Sequence, residues 1–111
     1  MTFDDIRNIA LVWPEVEDGT SYGTPALKVR QKLLVRLRED GDSLVMPGVP
    51  AEERAMLVES QPRVFYFTDH YRDYPMVLIR LSKAKRATVE PLLRRQWCAL
   101  ASKKAIKSME P

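Results

Sequence analysis

The sequence predicts an α+β domain, a two-layer sandwich whose mainly antiparallel sheet of about five strands carries the terminal helices on one face. Three observations predict it. Apolar residues recur at helical spacing near both ends of the chain. Between the ends they alternate at period two, in short runs joined by hairpin-length turns. The 111 residues, 45% hydrophobic and 30% charged, suit one core of modest size and one domain spanning residues 1–111. No apolar run reaches the roughly 20 residues of a membrane span. No basic stretch followed by an apolar one opens the chain, which argues against a secretory signal. The single cysteine, Cys98, excludes an internal disulfide and a cysteine-rich zinc site, and the expected setting is the reducing cytoplasm.

The expected order is α-β-β-β-α-β-β-α. The first helix is predicted over residues 3–12, with Thr2 as N-cap and Asp5 completing a capping box. Phe3, Ile6, Ile9, Ala10 and Trp13 share its apolar face, and Pro14 ends it. A loop punctuated by Gly19 and Gly23 follows. A strand over residues 26–30 alternates Leu27 and Val29 with Lys28 and Arg30. Gln31 and Lys32 form the expected turn into a partner strand over residues 33–38, with Leu33, Val35 and Leu37 on one side and Leu34, Arg36 and Arg38 on the other. Asp40, Gly41 and Asp42 turn the chain into a third strand over residues 43–46. A helix is predicted over residues 51–60, its Glu52 and Glu53 complementing the dipole at its start. Strands over residues 64–68 and 76–81 flank a polar-aromatic loop. The last helix is predicted from Thr88 to Leu100, with Pro91 in its first turn and a basic tail beyond.

Charge is unevenly spread. The net of +3 resolves into −4 over residues 1–27, +5 over 28–38, −5 over 39–79 and +7 over 80–111. Lys28, Arg30, Lys32, Arg36 and Arg38 make a basic two-stranded ribbon able to meet phosphates or enter a groove. The same pattern also fits the solvated face of an antiparallel sheet. No aromatic interleaves with these bases, which argues against a single-strand stacking platform. A second basic group comprises Arg80, Lys83, Lys85, Arg86, Arg94, Arg95, Lys103, Lys104 and Lys107. His70, the only histidine, sits in a loop with Asp69, Tyr71, Asp73 and Tyr74 and reads as a loop anchor, since no nucleophile neighbours it. No histidine or carboxylate spacing suggests a metal site. A helical projection puts Cys98 opposite the apolar face of the last helix, one turn from Arg94 and Arg95. There it reads as a surface thiol.

Three stretches carry a family resemblance. They are the run from Glu17 to Arg30 through Tyr22, Gly23, Thr24 and Pro25; the run from His70 to Pro75 leading into Val77–Leu81; and Leu92, Leu93 and Trp97 with Lys103 and Lys104. In this order they resemble the MmcQ/YjbR family of small bacterial proteins. The resemblance implies a frataxin-like α+β fold and DNA binding through β-hairpins. Gln31 departs from it, standing where family members often carry glycine, and Asp4 and Asp5 alone do not reproduce the acidic metal ridge of frataxins. The expected function is therefore non-enzymatic binding of double-stranded DNA, with no cofactor. Lys28, Arg30, Lys32, Arg36 and Arg38 would contact phosphates, with Lys83, Lys85 and Arg86 as a second region. The alternative is a module that binds a small molecule or protein between the loops 22–25 and 70–75, through Tyr22, Thr24, His70, Tyr71 and Tyr74.

Overall fold

Helix α1 (Phe3–Ala10) begins on the predicted capping box in this computed structural model, which describes residues 1–110; residue 111 of the expected domain lies outside them. The Thr2 hydroxyl accepts the Asp5 N–H and the Asp5 carboxylate accepts the Thr2 N–H at 2.8 Å. Phe3, Ile6, Ile9, Ala10 and Trp13 are all buried. The helix is two residues shorter than expected, because the chain already turns at Leu11 on its way to Pro14.

Six strands follow, not five: β1 (Val16–Ser21), β2 (Thr24–Val29), β3 (Lys32–Leu37), β4 (Ser43–Pro47), β5 (Phe65–Tyr66) and β6 (Met76–Arg80). They form one sheet in the order β1-β2-β3-β4-β6-β5, antiparallel at each interface. The extra strand is β1, expected to be loop. Its Glu17, Asp18, Gly19 and Thr20 are exposed, so no apolar alternation marks it; continuous pairing with β2 from Val16↔Val29 to Ser21↔Thr24 holds it at the sheet edge. Charged residues on an edge strand also discourage pairing with another chain. At the opposite edge, β5 is confined to two residues of the expected five.

Both flanking turns are two-residue hairpins with paired positive φ angles, the type I′ geometry whose twist matches antiparallel strands. Tyr22 and Gly23 have φ of 54° and 78°; Arg30 and Gln31 have 52° and 71°. The β2–β3 turn thus lies one residue earlier than the expected Gln31–Lys32, since Lys32 already pairs with Val29.

Helices α1, α3 (Arg86–Leu100) and α4 (Lys103–Ser108) share one hydrophobic core with Leu27, Val29, Val35, Leu44, Met46, Phe65, Val77 and Ile79 from one sheet face. Helix α2 (Ala51–Ser60) covers the β5–β6 side, with Leu57 and Val58 against that core. Helix α3 starts at Arg86, two residues before Thr88; Lys85 takes the cap position, with no side-chain cap bond. Trp97 ties the chain ends together. Its ring lies 5.9 Å from that of Trp13, and its indole N–H donates to the Pro14 carbonyl at 2.9 Å. The Arg94 guanidinium stacks on both indoles at about 5 Å.

Candidate ligand cavity on the open sheet face

The second sheet face carries a smaller cluster of Val45, Met76 and Leu78, with Tyr66 and Tyr71 packed on it. A bulge decides what else it presents. Between β2 and β3 the register steps from Leu27↔Val35 to Lys28↔Leu33, leaving Leu34 as an extra residue. Strict alternation would put Leu33 and Arg36 on opposite sides. The inserted residue returns Leu33 to the side of Arg36, and both line a cavity of about 850 Å³. This corrects the expected grouping of Leu33 with Val35 and Leu37. Pairing of β3 with β4 is limited to Arg36↔Val45 and Leu37↔Leu44, so beyond Arg36 the two strands diverge under the cavity.

The roof is the segment between β5 and β6, where a 3-10 turn (Asp69–Tyr71) leads into Tyr74 and Pro75. One residue positions it. Arg54 of α2 is 4% exposed, and its guanidinium donates to the carbonyls of Tyr71, Arg72, Tyr74 and Met76 at 2.9–3.2 Å. It also stacks on Phe67 at 4.1 Å from the ring centroid. Four main-chain dipoles, with no carboxylate among these contacts, thus surround a buried cation. The roof is anchored again where the Gly48 N–H donates to the Pro75 carbonyl at 2.9 Å.

Arg36 is the polar centre of the cavity. It is 8% exposed. Its Nη1 donates to the Thr24 hydroxyl at 3.3 Å and the Leu37 carbonyl at 3.4 Å, and its Nη2 to the Tyr71 hydroxyl at 3.0 Å. Thr24 is itself fixed by donating to the Ser21 carbonyl. Glu39 approaches Nη1 at 3.6 Å with a side chain 66% exposed. The Tyr22 ring, at the tip of the β1–β2 hairpin, lies 5.3 Å from the Arg36 guanidinium and is otherwise open to solvent. His70 packs edge-on against Tyr71 with ring centroids 4.8 Å apart. Among the described residues His70 is held by this packing and not by the expected anchoring hydrogen bond. The cavity therefore joins aliphatic walls, several flat rings and a desolvated guanidinium, the composition of a small-molecule site.

The structure divides the basic residues expected to act together. Lys28 stands opposite Glu17 across β1 and β2. Arg30 and Lys32 are exposed at the β2–β3 turn. Arg36 is turned into the cavity, and Arg38 is half-buried with its guanidinium 5.8 Å from the Tyr71 ring centroid. Aromatics absent from the basic segment in sequence thus reach these arginines in space. Lys83 and Lys85 follow the end of β6 that pairs with Ser43, at the opposite end of the strands from the Arg30–Gln31 turn. Arg86 is engaged by Glu90 at 2.9 Å, and Arg95 by Glu53 at 2.6 Å. Arg80 lies over the Tyr66 ring and donates to the carbonyls of Pro62 and Arg63. Cys98 is exposed. Among the described residues no three histidine, cysteine, aspartate or glutamate side chains gather as metal ligands would, and no helix is long and apolar enough to cross a membrane.

Sequence reasoning picked out Tyr22, Thr24, His70, Tyr71 and Tyr74, and the structure brings all five to this region. It missed Leu33, Val45, Gly48, Met76 and Gln96 in the lining, and it missed Arg54. A signal for Arg54 existed: an arginine three and four residues before Leu57 and Val58 lies on the inward face of its helix.

No family model matches the chain. It is 26% identical over 91 residues to the Uncharacterized protein Rv2570 of Mycobacterium tuberculosis and equally to the Uncharacterized protein Mb2600 of Mycobacterium bovis; the match covers 79% of this chain and 70% of each relative. Among solved structures, the Deinococcus radiodurans protein DR2400, which carries a DUF419 domain, superposes with a TM-score of 0.75. That superposition covers 96% of this chain and 86% of the other at 18% sequence identity, so the two proteins share a fold.

Proposed function

We propose that this protein is a small-molecule-binding module of the MmcQ/YjbR type, acting without catalysis or a metal, and that its site is the cavity roofed by the loop 70–75. The DUF419 domain of the structural neighbour, itself of a YjbR-like kind, supports the family reading. The observation that carries the functional reading is the buried Arg36 guanidinium at the centre of a mainly apolar and aromatic cavity of about 850 Å³. Drug-sized ligands occupy clefts of about 300–1,000 Å³ with a few convergent polar groups. The free, exposed Cys98 suits a reducing cytoplasm. The test is a fragment screen followed by amide chemical shifts in the labelled protein. Hits are expected to shift Tyr22, Leu33, Arg36, Tyr71 and Met76 together, to bind with little salt dependence, and to be lost in Tyr71→Ala. Hits that map elsewhere on the surface refute the reading.

One observation favours a second reading, binding of double-stranded DNA. Arg30 and Lys32 project from the β2–β3 turn beside Lys28, where a hairpin tip can reach a phosphate backbone. With Arg36 turned inward, and Arg38 and Lys28 half-buried, Arg30 and Lys32 remain exposed at this tip, so the log–log salt slope of binding is expected near about −2. Fluorescence anisotropy with labelled duplex measures it. An unchanged affinity in a folded Arg30→Glu, Lys32→Glu variant rejects DNA as the partner.

A further inference from the structure

We propose that the cavity takes a flat monoanion, an aromatic or conjugated carboxylate, with its carboxylate on the Nε/Nη2 edge of Arg36. The proposal rests on the reading of the cavity as the binding site and adds the chemical class of the occupant.

The hydrogen bonds of Arg36 are the starting point. Thr24, Leu37 and Tyr71 are neutral partners, and they occupy Nη1 and one position of Nη2. Among the described residues, Arg36 Nε makes no hydrogen bond and Nη2 donates only to Tyr71, while the one buried side-chain nitrogen left without a partner is Nε of Arg38. A guanidinium offers Nε–H and one Nη–H as parallel donors that match the two oxygens of a carboxylate. A nearly buried guanidinium held by neutral acceptors lacks a shielded counter-ion, since Glu39, the carboxylate that pairs with it among the described residues, is largely in water. An anion in the cavity would supply it.

The rest of the lining selects shape and charge. Tyr22, His70 and Tyr71 present ring faces and edges close to Arg36, and Leu33, Val45 and Met76 are aliphatic. Such walls favour a planar apolar body over a polyol. Tyr22 is 86% exposed and sits at a positive φ, so its ring meets little protein beyond the arginine and can stack on an incoming plane. Glu39 sets the charge limit. Its carboxylate, 3.6 Å from Nη1, repels a phosphate dianion about twice as strongly as a carboxylate monoanion at the same distance.

Calorimetric titration with naphthoate, naphthamide and naphthyl phosphate, paired with amide shifts, tests the proposal. Naphthoate is expected to bind at least about tenfold tighter than the isosteric amide, one charge-assisted hydrogen bond's worth. Arg36→Lys keeps the charge but removes the fork and should reduce that preference several-fold, and Arg36→Met, which removes the charge as well, should abolish it. Glu39→Gln should tighten naphthoate several-fold, a gain that damage to the fold cannot mimic. Equal affinity for acid and amide overturns the anion assignment and leaves the cavity standing as the site. Tighter binding of the phosphate overturns the monoanion class. Absence of cavity shifts with all three probes overturns this proposal and the reading beneath it together.

Discussion

Replacing Arg54 by methionine should unseat the cavity roof. Methionine keeps a long apolar stem against Phe67 and removes the donors. Of the four carbonyls Arg54 serves, those of Tyr71 and Tyr74 also accept the N–H groups of Tyr74 and Met76, so they keep a partner. The loss falls on the carbonyls of Arg72 and Met76. A buried acceptor left unpaired costs about 1–3 kcal/mol, so two together cost about 3–4 kcal/mol, part of it offset by no longer burying a charge. A net loss of about 3 kcal/mol is expected. A domain of this size has about 5–15 kcal/mol to lose, so the variant stays folded. Urea unfolding should show the midpoint falling by about 2 M for a slope near 1.5 kcal/mol per M. Hydrogen exchange should localise the change: amides of residues 71–76 lose protection while those of β2 and β3 keep theirs relative to the global stability. Arg54→Lys, with one ammonium for four acceptors, should fall between. A loss below about 1 kcal/mol in Arg54→Met, with exchange over residues 71–76 unchanged, would refute the reasoning.

Other perturbations follow from the same geometry. Gln31→Gly should raise stability by about 0.5–1 kcal/mol, because a side chain at φ 71° is strained and the relief exceeds the entropy glycine adds to the unfolded chain; thermal unfolding should show a midpoint a few degrees higher. Gly48→Ala should cost about 1–2 kcal/mol, since it adds a Cβ at φ +79° that clashes with the Gln96 side-chain oxygen. Pairing it with Gln96→Ala should recover only the steric part, leaving the backbone strain, as denaturation of the double variant would read. Acidification should weaken the docking of α4. The Glu15 carboxyl is held below its ordinary range because it accepts the Ser102 N–H and hydroxyl at 2.7 and 2.8 Å. A depressed folded pKa stabilises at pH values above the unfolded one, about 4.3, and that stability is lost as pH falls through the folded value. Amide exchange in residues 103–108 should therefore be flat from neutral pH to about 5, after correction for intrinsic rates, and then accelerate. Glu15→Gln should remove this pH dependence.

What the sequence disclosed was whatever is encoded locally. The capping box at Thr2 and Asp5 is a short-range exchange of hydrogen bonds, and it starts α1 where expected. The bounds of α2 match because Pro50 and Pro62 bracket it. β1 was invisible for the opposite reason. Its residues face water over most of its length, and it is a strand only because β2 offers a ladder to pair with. The bulge at Leu34 defeated the period-two reading, which assumes that no residue is inserted. Tyr22 and His70 stand far apart in sequence, and what joins them is strand order. The β1–β2 hairpin tip and the β5–β6 loop meet over β3 and β4 once the sheet forms.

The bulge also separates the two functional readings within one hairpin. Residues before it, Lys28, Arg30 and Lys32, stay near the β2–β3 turn, and those after it, Arg36 and Arg38, sit within reach of Tyr71. A basic stretch that reads as one phosphate-binding ribbon therefore splits into an exposed tip and a buried, hydrogen-bonded pocket cation. The two halves should respond differently to charge and salt. Ligands on Arg36 meet Glu39 and the Tyr71 hydroxyl at short range, where screening is weak, whereas partners of Arg30 and Lys32 are met through solvent, where a Debye length of about 8 Å governs the attraction. Substitution at Arg30 and Lys32 should leave cavity binding intact, and substitution at Arg36 should leave the tip unchanged. The distance between the two sites along β3, about four residues at about 3.3 Å each, exceeds that screening length. Coupling between them would have to pass through movement of β3 itself, which its pairing with β2 from Lys32 to Arg36 opposes.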